Sequence, residues 1–255
     1  MSQLTLTDRV VIVTGAGSGI GRVTAEQAAA AGAHVIVADL AEGPANETVE
    51  LIRSADGAAT AVVGDISEPE VVDRLIATAT EQGTLRGVVN NAGVMDLFAG
   101  VGDTDDATWE RCLRVNVTAP FLLMRAAMPA LIASGGSIVN VASEAGIRGA
   151  AAGAAYTSSK HALVGLTKNT AYTYGKQGVR CNAVAPGGVE TNIMSSIDPT
   201  KINQAGMAAL GPVHASAVRM AQSSELAALI LFLLADEASN VNGAIIPCDA
   251  GWSAG

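Results

Sequence analysis

The chain has 255 residues, 49% of them hydrophobic, a net charge of −9 and only 15% charged side chains. That length allows one large apolar core, so a single domain spanning residues 1–255 is expected. A negative chain of low charge density has little attraction for phosphate backbones or anionic lipid, which argues against nucleic-acid and membrane partners.

Met1 to Thr7 leads straight into Arg9-Val10-Val11-Ile12-Val13, leaving no room for a basic segment followed by an apolar signal core. Cys112, Cys181 and Cys248 are odd in number and widely spaced, so neither a disulfide framework nor a zinc ligand set is expected, and a reducing cytoplasm fits. The longest apolar run, Leu226 to Ala235, is too short to cross a bilayer.

Short β-branched runs recur at Val10–Thr14, His34–Asp39, Ala59–Gly64, Gly87–Asn90, Ser137–Ala142, Val179–Ala185 and Gly243–Pro247, each reading as a buried parallel strand. Ala-rich stretches with helical spacing lie between them; Ser67-Glu68-Pro69-Glu70 offers a capping box for one, and another runs Trp109–Ile132. Right-handed crossovers then place helices on both faces of the sheet, so the expected class is α/β, a doubly wound seven-stranded parallel sheet. Gly187 to Ser223 reads as one long irregular segment, and residues of about 188–222 are expected to form a substrate lid.

Thr14-Gly15-Ala16-Gly17-Ser18-Gly19-Ile20-Gly21 follows the first strand and opens the first helix, where a dinucleotide pyrophosphate would sit. The spacing is G-x-x-x-G-x-G, not the commoner G-x-G-x-x-G, and alone it is also compatible with a ligand-free turn. Asp39 closes the second strand, where its carboxylate can accept hydrogen bonds from an adenosine ribose diol and repel a 2′-phosphate. Ser18 in the turn and Leu40-Ala41 after Asp39 supply no cation for that phosphate, so NAD is favoured over NADP. Arg22, inside the first helix, reads as a surface or packing cation.

Tyr156 and Lys160 lie one helical turn apart and share a face. At about 4 Å and an effective dielectric of about 20, an ammonium contributes roughly 4 kcal/mol, about three pKa units, toward ionising a phenol, while desolvation opposes it. A tyrosine brought toward neutrality can take a proton from an alcohol and return it in reverse. Tyr172 and Lys176 repeat the spacing, but sixteen residues farther on they sit about 24 Å down the axis, at the wrong edge of the sheet. Tyr172 and Tyr174 therefore read as packing or interface residues and Lys176 as a solvated charge beside the helix stop at Gly175 and Gly178. Ser143, ending the fifth strand, is placed to hydrogen-bond a substrate oxygen or is simply a strand-end serine; Asn116, polar in an apolar helix, is equally readable as a satisfied structural amide.

Together with Asp65 after the third strand, Asn90-Asn91-Ala92-Gly93 after the fourth and Pro186-Gly187-x-x-x-Thr191, these residues resemble the short-chain dehydrogenase/reductase family over essentially the whole chain. The resemblance implies metal-free hydride transfer with Asn116, Ser143, Tyr156 and Lys160 as the catalytic set. It puts Asp65 and Ile66 at the adenine, Asn91 along the adenosine ribose, Lys160 on the nicotinamide ribose and Val189 and Thr191 at the carboxamide. Gly93, Pro186 and Gly187 count among its coenzyme-binding positions. By the same resemblance Asn116 positions a water joining Lys160 to solvent, Ser143 orients the carbonyl, and the chain forms a homotetramer. Cys248-Asp249-Ala250-Gly251 departs from the paired glycines of many relatives, with packing the expected consequence.

Ile193, Met194, Ile197, Met207 and Leu210 can close over an apolar ligand, with Met95, Leu97, Ile147 and Ala150–Ala152 as further walls, although core packing explains them as well. The substrate is read as a moderately apolar alcohol or ketone. A 3-oxoacyl-thioester reductase ranks lower, because Pro129 and Tyr172 stand where those enzymes carry arginine and the chain is too acidic to steer an acidic carrier. A non-enzymatic dinucleotide sensor would be expected to lack Tyr156 or Lys160, and His34, His161 and His214 have no hydrolase ligand spacing.

Overall fold

The computed structural model describes residues 4–254. Met1–Gln3 and Gly255 lie outside the described residues, and parts of the Met1–Thr7 reading and of the 1–255 limits fall there. In chain order the elements are β1 (Val10–Thr14), α1 (Gly19–Ala30), β2 (His34–Asp39), α2 (Glu42–Ser54), β3 (Ala58–Val63), α3 (Pro69–Gln82), β4 (Leu85–Asn90) and α4 (Asp106–Leu113). There follow α5 (Ala119–Ser134), β5 (Ser137–Val141), α6 (Ala154–Tyr174), β6 (Arg180–Pro186), α7 (Gln204–Ala215), α8 (Ser223–Leu234) and β7 (Ile245–Cys248).

All seven strands pair in parallel in the order β3-β2-β1-β4-β5-β6-β7. Because side chains alternate along a strand, Val11, Val13, Val35 and Val37 face one layer with Ala25, Ala28, Ile230 and Leu233. Val10, Ile12, Ile36 and Ile138 face the other, against Leu75, Leu123 and Leu131. Burial on both faces is why the strands are continuous Val and Ile runs. The order reverses between β1 and β4, and the crevice outside the carboxyl ends of those two strands is where an open α/β sheet receives its ligand.

Three local expectations are corrected. Pro69 occupies the first turn of α3 and Glu68 is its N-cap without a side-chain bond, so Ser67 falls one residue too early to cap. Its hydroxyl donates instead to Asp65 Oδ1 at 2.7 Å. A capping box does open α8, from Gln222 and Glu225. The Trp109–Ile132 helix runs from Asp106 to Ser134 and is broken by a π-helical turn, Arg114–Thr118, that contains Asn116. That span is long and apolar enough for a bilayer, yet Leu123, Met124, Ala127 and Leu131 pack against the sheet. Finally, the segment from 187 to 223 is not irregular throughout, since it carries α7 and two short 3-10 turns. The helix stop is as expected: α6 ends at Tyr174, and Gly178 adopts φ 84°.

Candidate active site

The hydroxyl of Thr14, at the end of β1, accepts the N–H groups of Asn91 and Ala92, each at 3.0 Å, and donates to Val89 O at 3.3 Å. Asn91 Nδ2 donates back to Thr14 O at 2.9 Å. These bonds lock the β1 turn to the segment after β4, at the reversal of strand order. Gly21 must be glycine there, because a Cβ would run into the carbonyl oxygen of Gly15. Ser18 is the N-cap of α1 but makes no side-chain cap bond, and the first turn holds no acidic residue. The N–H groups of that turn are thus left for an anion.

Asp39 Oδ2 accepts Gly17 N at 2.8 Å and Oδ1 accepts Ala41 N at 3.0 Å. Its carboxylate walls a cleft of about 550 Å³ that Ser18, Gly19, Asn192 and Ser195 also line. Arg22 is tied down: Nη2 and Nε donate to Gly17 O at 2.6 and 3.0 Å, and it pairs with Glu47 at 2.6 Å. Asp65 lies at the end of the β3 side, and although partial burial favours its neutral form, hydrogen bonds from Ser67 and Arg114 hold it below the ordinary carboxylate range. Ile66 is buried in the core cluster on that face. Thr191 packs against Gly19, Val189 bridges to Ala221, and Gly187 follows Pro186 beside Asp249 and Trp252. A glycine-rich turn, an open helix start and a carboxylate at the second strand, around one cleft, fit a nicotinamide dinucleotide.

Tyr156 is the third residue of α6 and is buried. Ser143 Oγ also accepts Ala145 N at 3.1 Å, which fixes the hydroxyl at the sheet edge. Lys160 Nζ donates to Val141 O at 2.9 Å and lies 5.4 Å from the Tyr156 ring centroid. Asn116 Nδ2 donates to Val94 O and Ser159 Oγ, both at 3.0 Å, and Oδ1 accepts Val94 N at 2.9 Å. A Cβ on Gly93 would lie 3.3 Å from Asn116 Oδ1 and 3.5 Å from Lys160 Nζ, so the four candidate catalytic side chains and Gly93 meet in one place.

The expected acidification of the phenol is not found in this state. Burial, which removes water from any charge, pushes the Tyr156 phenol well above its ordinary value, and the hydrogen bond from Ser143 only partly opposes it. The same burial brings Lys160 down from 10.5 to about 8. Lys160 loses its proton before the phenol does, so its attraction is gone in the range where the phenol would ionise.

Tyr172 is 91% exposed, at the far end of α6, and takes no part in this cluster. Of the expected pocket walls, Met95, Leu97, Ala151, Ala152, Ile193, Ile197, Met207 and Leu210 do gather around Tyr156. Met194 is instead 45% exposed and Ile147 stays outside the cluster. Three residues escaped sequence reasoning. Phe98 joins the apolar cluster. Arg111 ties the 193–196 turn to the segment after β4 through Ser196 O at 2.8 Å and Met95 O at 2.7 Å. Asp96 is buried beside the start of α6. Its signal was a lone carboxylate among Val94, Met95, Leu97 and Phe98.

A doubly wound parallel sheet with a glycine-rich turn at the strand-order reversal and a buried tyrosine–lysine pair at the same edge defines a dinucleotide-dependent oxidoreductase. The family model described as enoyl-(acyl carrier protein) reductase matches residues 15–253. The short-chain dehydrogenase/reductase cdmF of Talaromyces verruculosus is 41% identical, over 97% of this chain and 98% of its own. Among solved structures, a short-chain dehydrogenase from Mycobacterium paratuberculosis bound to NAD superposes with a TM-score of 0.90 at 29% identity, covering 98% of this chain and 100% of the other. A Beutenbergia cavernae protein described as an NAD(P)-dependent gluconate 5-dehydrogenase, with NADP bound at low occupancy, gives 0.85 at 34% identity, covering 98% and 99%. The chain belongs to the short-chain dehydrogenase/reductase family and is an oxidoreductase of that family.

Proposed function

We propose that this enzyme moves hydride between NAD(H) and a secondary alcohol or its ketone of moderately apolar character, with Tyr156 as the acid/base. The observation that carries the reading is the Lys160 ammonium lying over the buried Tyr156 ring, 5.4 Å from its centroid, at the sheet edge where Ser143 follows β5. The N–H groups of the turn Gly15, Ser18, Gly19, Ile20 and Gly21 would hold the pyrophosphate, and Asp39 the adenosine ribose hydroxyls. Asp65 and Ile66 would flank the adenine, Asn91 and Gly93 the middle of the coenzyme. Lys160 would take the nicotinamide ribose, with Pro186, Gly187, Val189 and Thr191 around the carboxamide. Bound there, the coenzyme supplies the hydride acceptor or donor.

Ser143 donates to the substrate oxygen and holds it against Tyr156. In oxidation the tyrosinate removes the hydroxyl proton as hydride leaves carbon; in reduction the phenol protonates the nascent alkoxide. Asn116 Oδ1 accepts one hydrogen bond and keeps a second lone pair, the acceptor that a water bridging to Lys160 needs. The carboxylate of Asp39 opposes a 2′-phosphate, which supports NAD over NADP. Met95, Phe98, Ala152 and Ile197 around Tyr156 support an apolar carbonyl surround. Phe121 and Tyr172, exposed on α5 and α6, support a homotetramer packed through those helices, to be checked by sedimentation.

The test is a screen of purified protein with NAD+ and NADP+ against secondary alcohols, sugars, steroids and hydroxyacyl thioesters, following reduced-nicotinamide absorbance beside Tyr156→Phe. NAD-linked turnover of an alcohol is expected, and Tyr156→Phe loses about 10²–10⁴-fold of it. Undiminished turnover in that variant removes the mechanism, and preference for thioesters replaces the substrate class.

A further inference from the structure

Asp96 is 1% exposed, three residues beyond the Asn-Asn-Ala-Gly segment. Its oxygens reach across the sequence to the beginning of α6: Oδ1 accepts Gly153 N at 3.2 Å and Oδ2 accepts Tyr156 N at 2.9 Å. Oδ1 also accepts Phe98 N at 3.0 Å. All three partners are donors, so both oxygens act only as acceptors. The approach is close enough to demand glycine at 153, where a Cβ would lie 2.5 Å from Asp96 Oδ2 and 2.8 Å from the backbone of Ala99. Ala154 N adds a bond to Ala99 O at 2.8 Å.

The same stretch grips the lid. Met95 N donates to Ser196 Oγ at 3.0 Å, Met95 O accepts Arg111, and Leu97 O accepts Asn203 N at 2.9 Å. One short segment therefore sets both where Tyr156 stands and where the apolar wall above it rests.

We infer that Asp96 is the positioning residue of Tyr156, a buried carboxylate that fixes the first turn of α6 by its N–H groups and keeps negative charge beside the phenol. Burial holds the phenol protonated, and Asp96 adds to it in the same direction. In the reaction, this makes the tyrosinate a stronger base and leaves the oxidation direction dependent on positive charge brought in nearby. The inference rests on Tyr156 being the acid/base.

The test is a tyrosinate absorbance titration of wild type, Asp96→Asn, Asp96→Ala and Tyr156→Phe, each with saturating NAD+; the transition missing from Tyr156→Phe belongs to Tyr156. Asp96→Asn keeps one acceptor oxygen, sets its NH2 group against the N–H on the other side, and loses the charge. Its Tyr156 transition is expected about one pH unit below wild type, with unchanged circular dichroism. Asp96→Ala is expected to melt at lower temperature, with Asp96→Asn, through its one remaining acceptor, rescuing part of that loss. A Tyr156 transition at the wild-type pH in Asp96→Asn, or none in either protein, overturns the inference, as does failure of Asp96→Asn to fold, which would make the role structural. Turnover surviving in Tyr156→Phe would remove the acid/base reading while leaving this titration readable, so the two failures are distinct.

Discussion

The ammonium of Lys160 sits over the face of the Tyr156 ring, 5.4 Å from its centroid, while its hydrogen bond goes to the carbonyl of Val141. Two titratable side chains are buried together, and the absence of water disfavours charge on either. Burial thus keeps the phenol neutral and holds the amine at about 8. On the proposed function, the ring would need positive charge nearby to work as a base, which a bound oxidised nicotinamide would supply.

A buried ammonium is a stability cost, and removing it should show. Below about 8 Lys160 is charged in both folded and unfolded chains, so the cost of burying the charge is fully present. Between 8 and 10.5 only the unfolded chain stays protonated and the cost shrinks; above 10.5 it is gone. Lys160→Met should thus stabilise the coenzyme-free protein by about 1–3 kcal/mol at about pH 7, the lost bond to Val141 offsetting part of the gain, and by little at about pH 10. Urea unfolding at the two pH values measures the difference; equal effects at both would show that Lys160 is not charged at a cost.

Asp39 is held at the cleft wall by Gly17 N and Ala41 N, not by a cation. Asp39→Ala removes the charge that opposes a 2′-phosphate, and the NADP/NAD ratio of kcat/KM is expected to rise at least about tenfold. Steady-state kinetics with both coenzymes decide it, and an unchanged ratio would refute the role.

Arg111 bolts the 193–196 turn to the Met95 segment, through Ser196 O and Met95 O. Arg111→Ala loses two charge-assisted bonds, so KM for the carbonyl substrate is expected to rise roughly tenfold; because Ser196 adjoins Ser195 in the wall of the Asp39 cleft, coenzyme affinity is expected to fall as well, but by less. Limited proteolysis within 193–203 should also accelerate. Equal losses in substrate and coenzyme affinity would instead indicate general unfolding.

Much of this was legible from the residues. β1 and β2 fall where their Val and Ile runs begin and end, because a strand buried on both faces admits little else. The turn from Gly15 to Gly21 and the one-turn spacing of Tyr156 and Lys160 are local, and helix and strand periods are enough to place them. The capping box at Ser67 failed because Pro69 fixes the helix start one residue too late for it. The π turn around Asn116 was invisible because one inserted residue leaves no periodic trace.

The sequence by itself determined a doubly wound sheet, the place of the glycine-rich turn and the one-turn spacing of Tyr156 and Lys160, since each depends on neighbours within a turn or a strand. Only the tertiary structure decided how that pair is charged and what holds it. Burial is a property of the whole packed molecule, and the bonds from Asp96 to Gly153 and Tyr156 span nearly sixty residues of chain, as their separations of 57 and 60 show. Desolvation and long-range hydrogen bonding arise only when distant segments exclude water together, so no local pattern carries them.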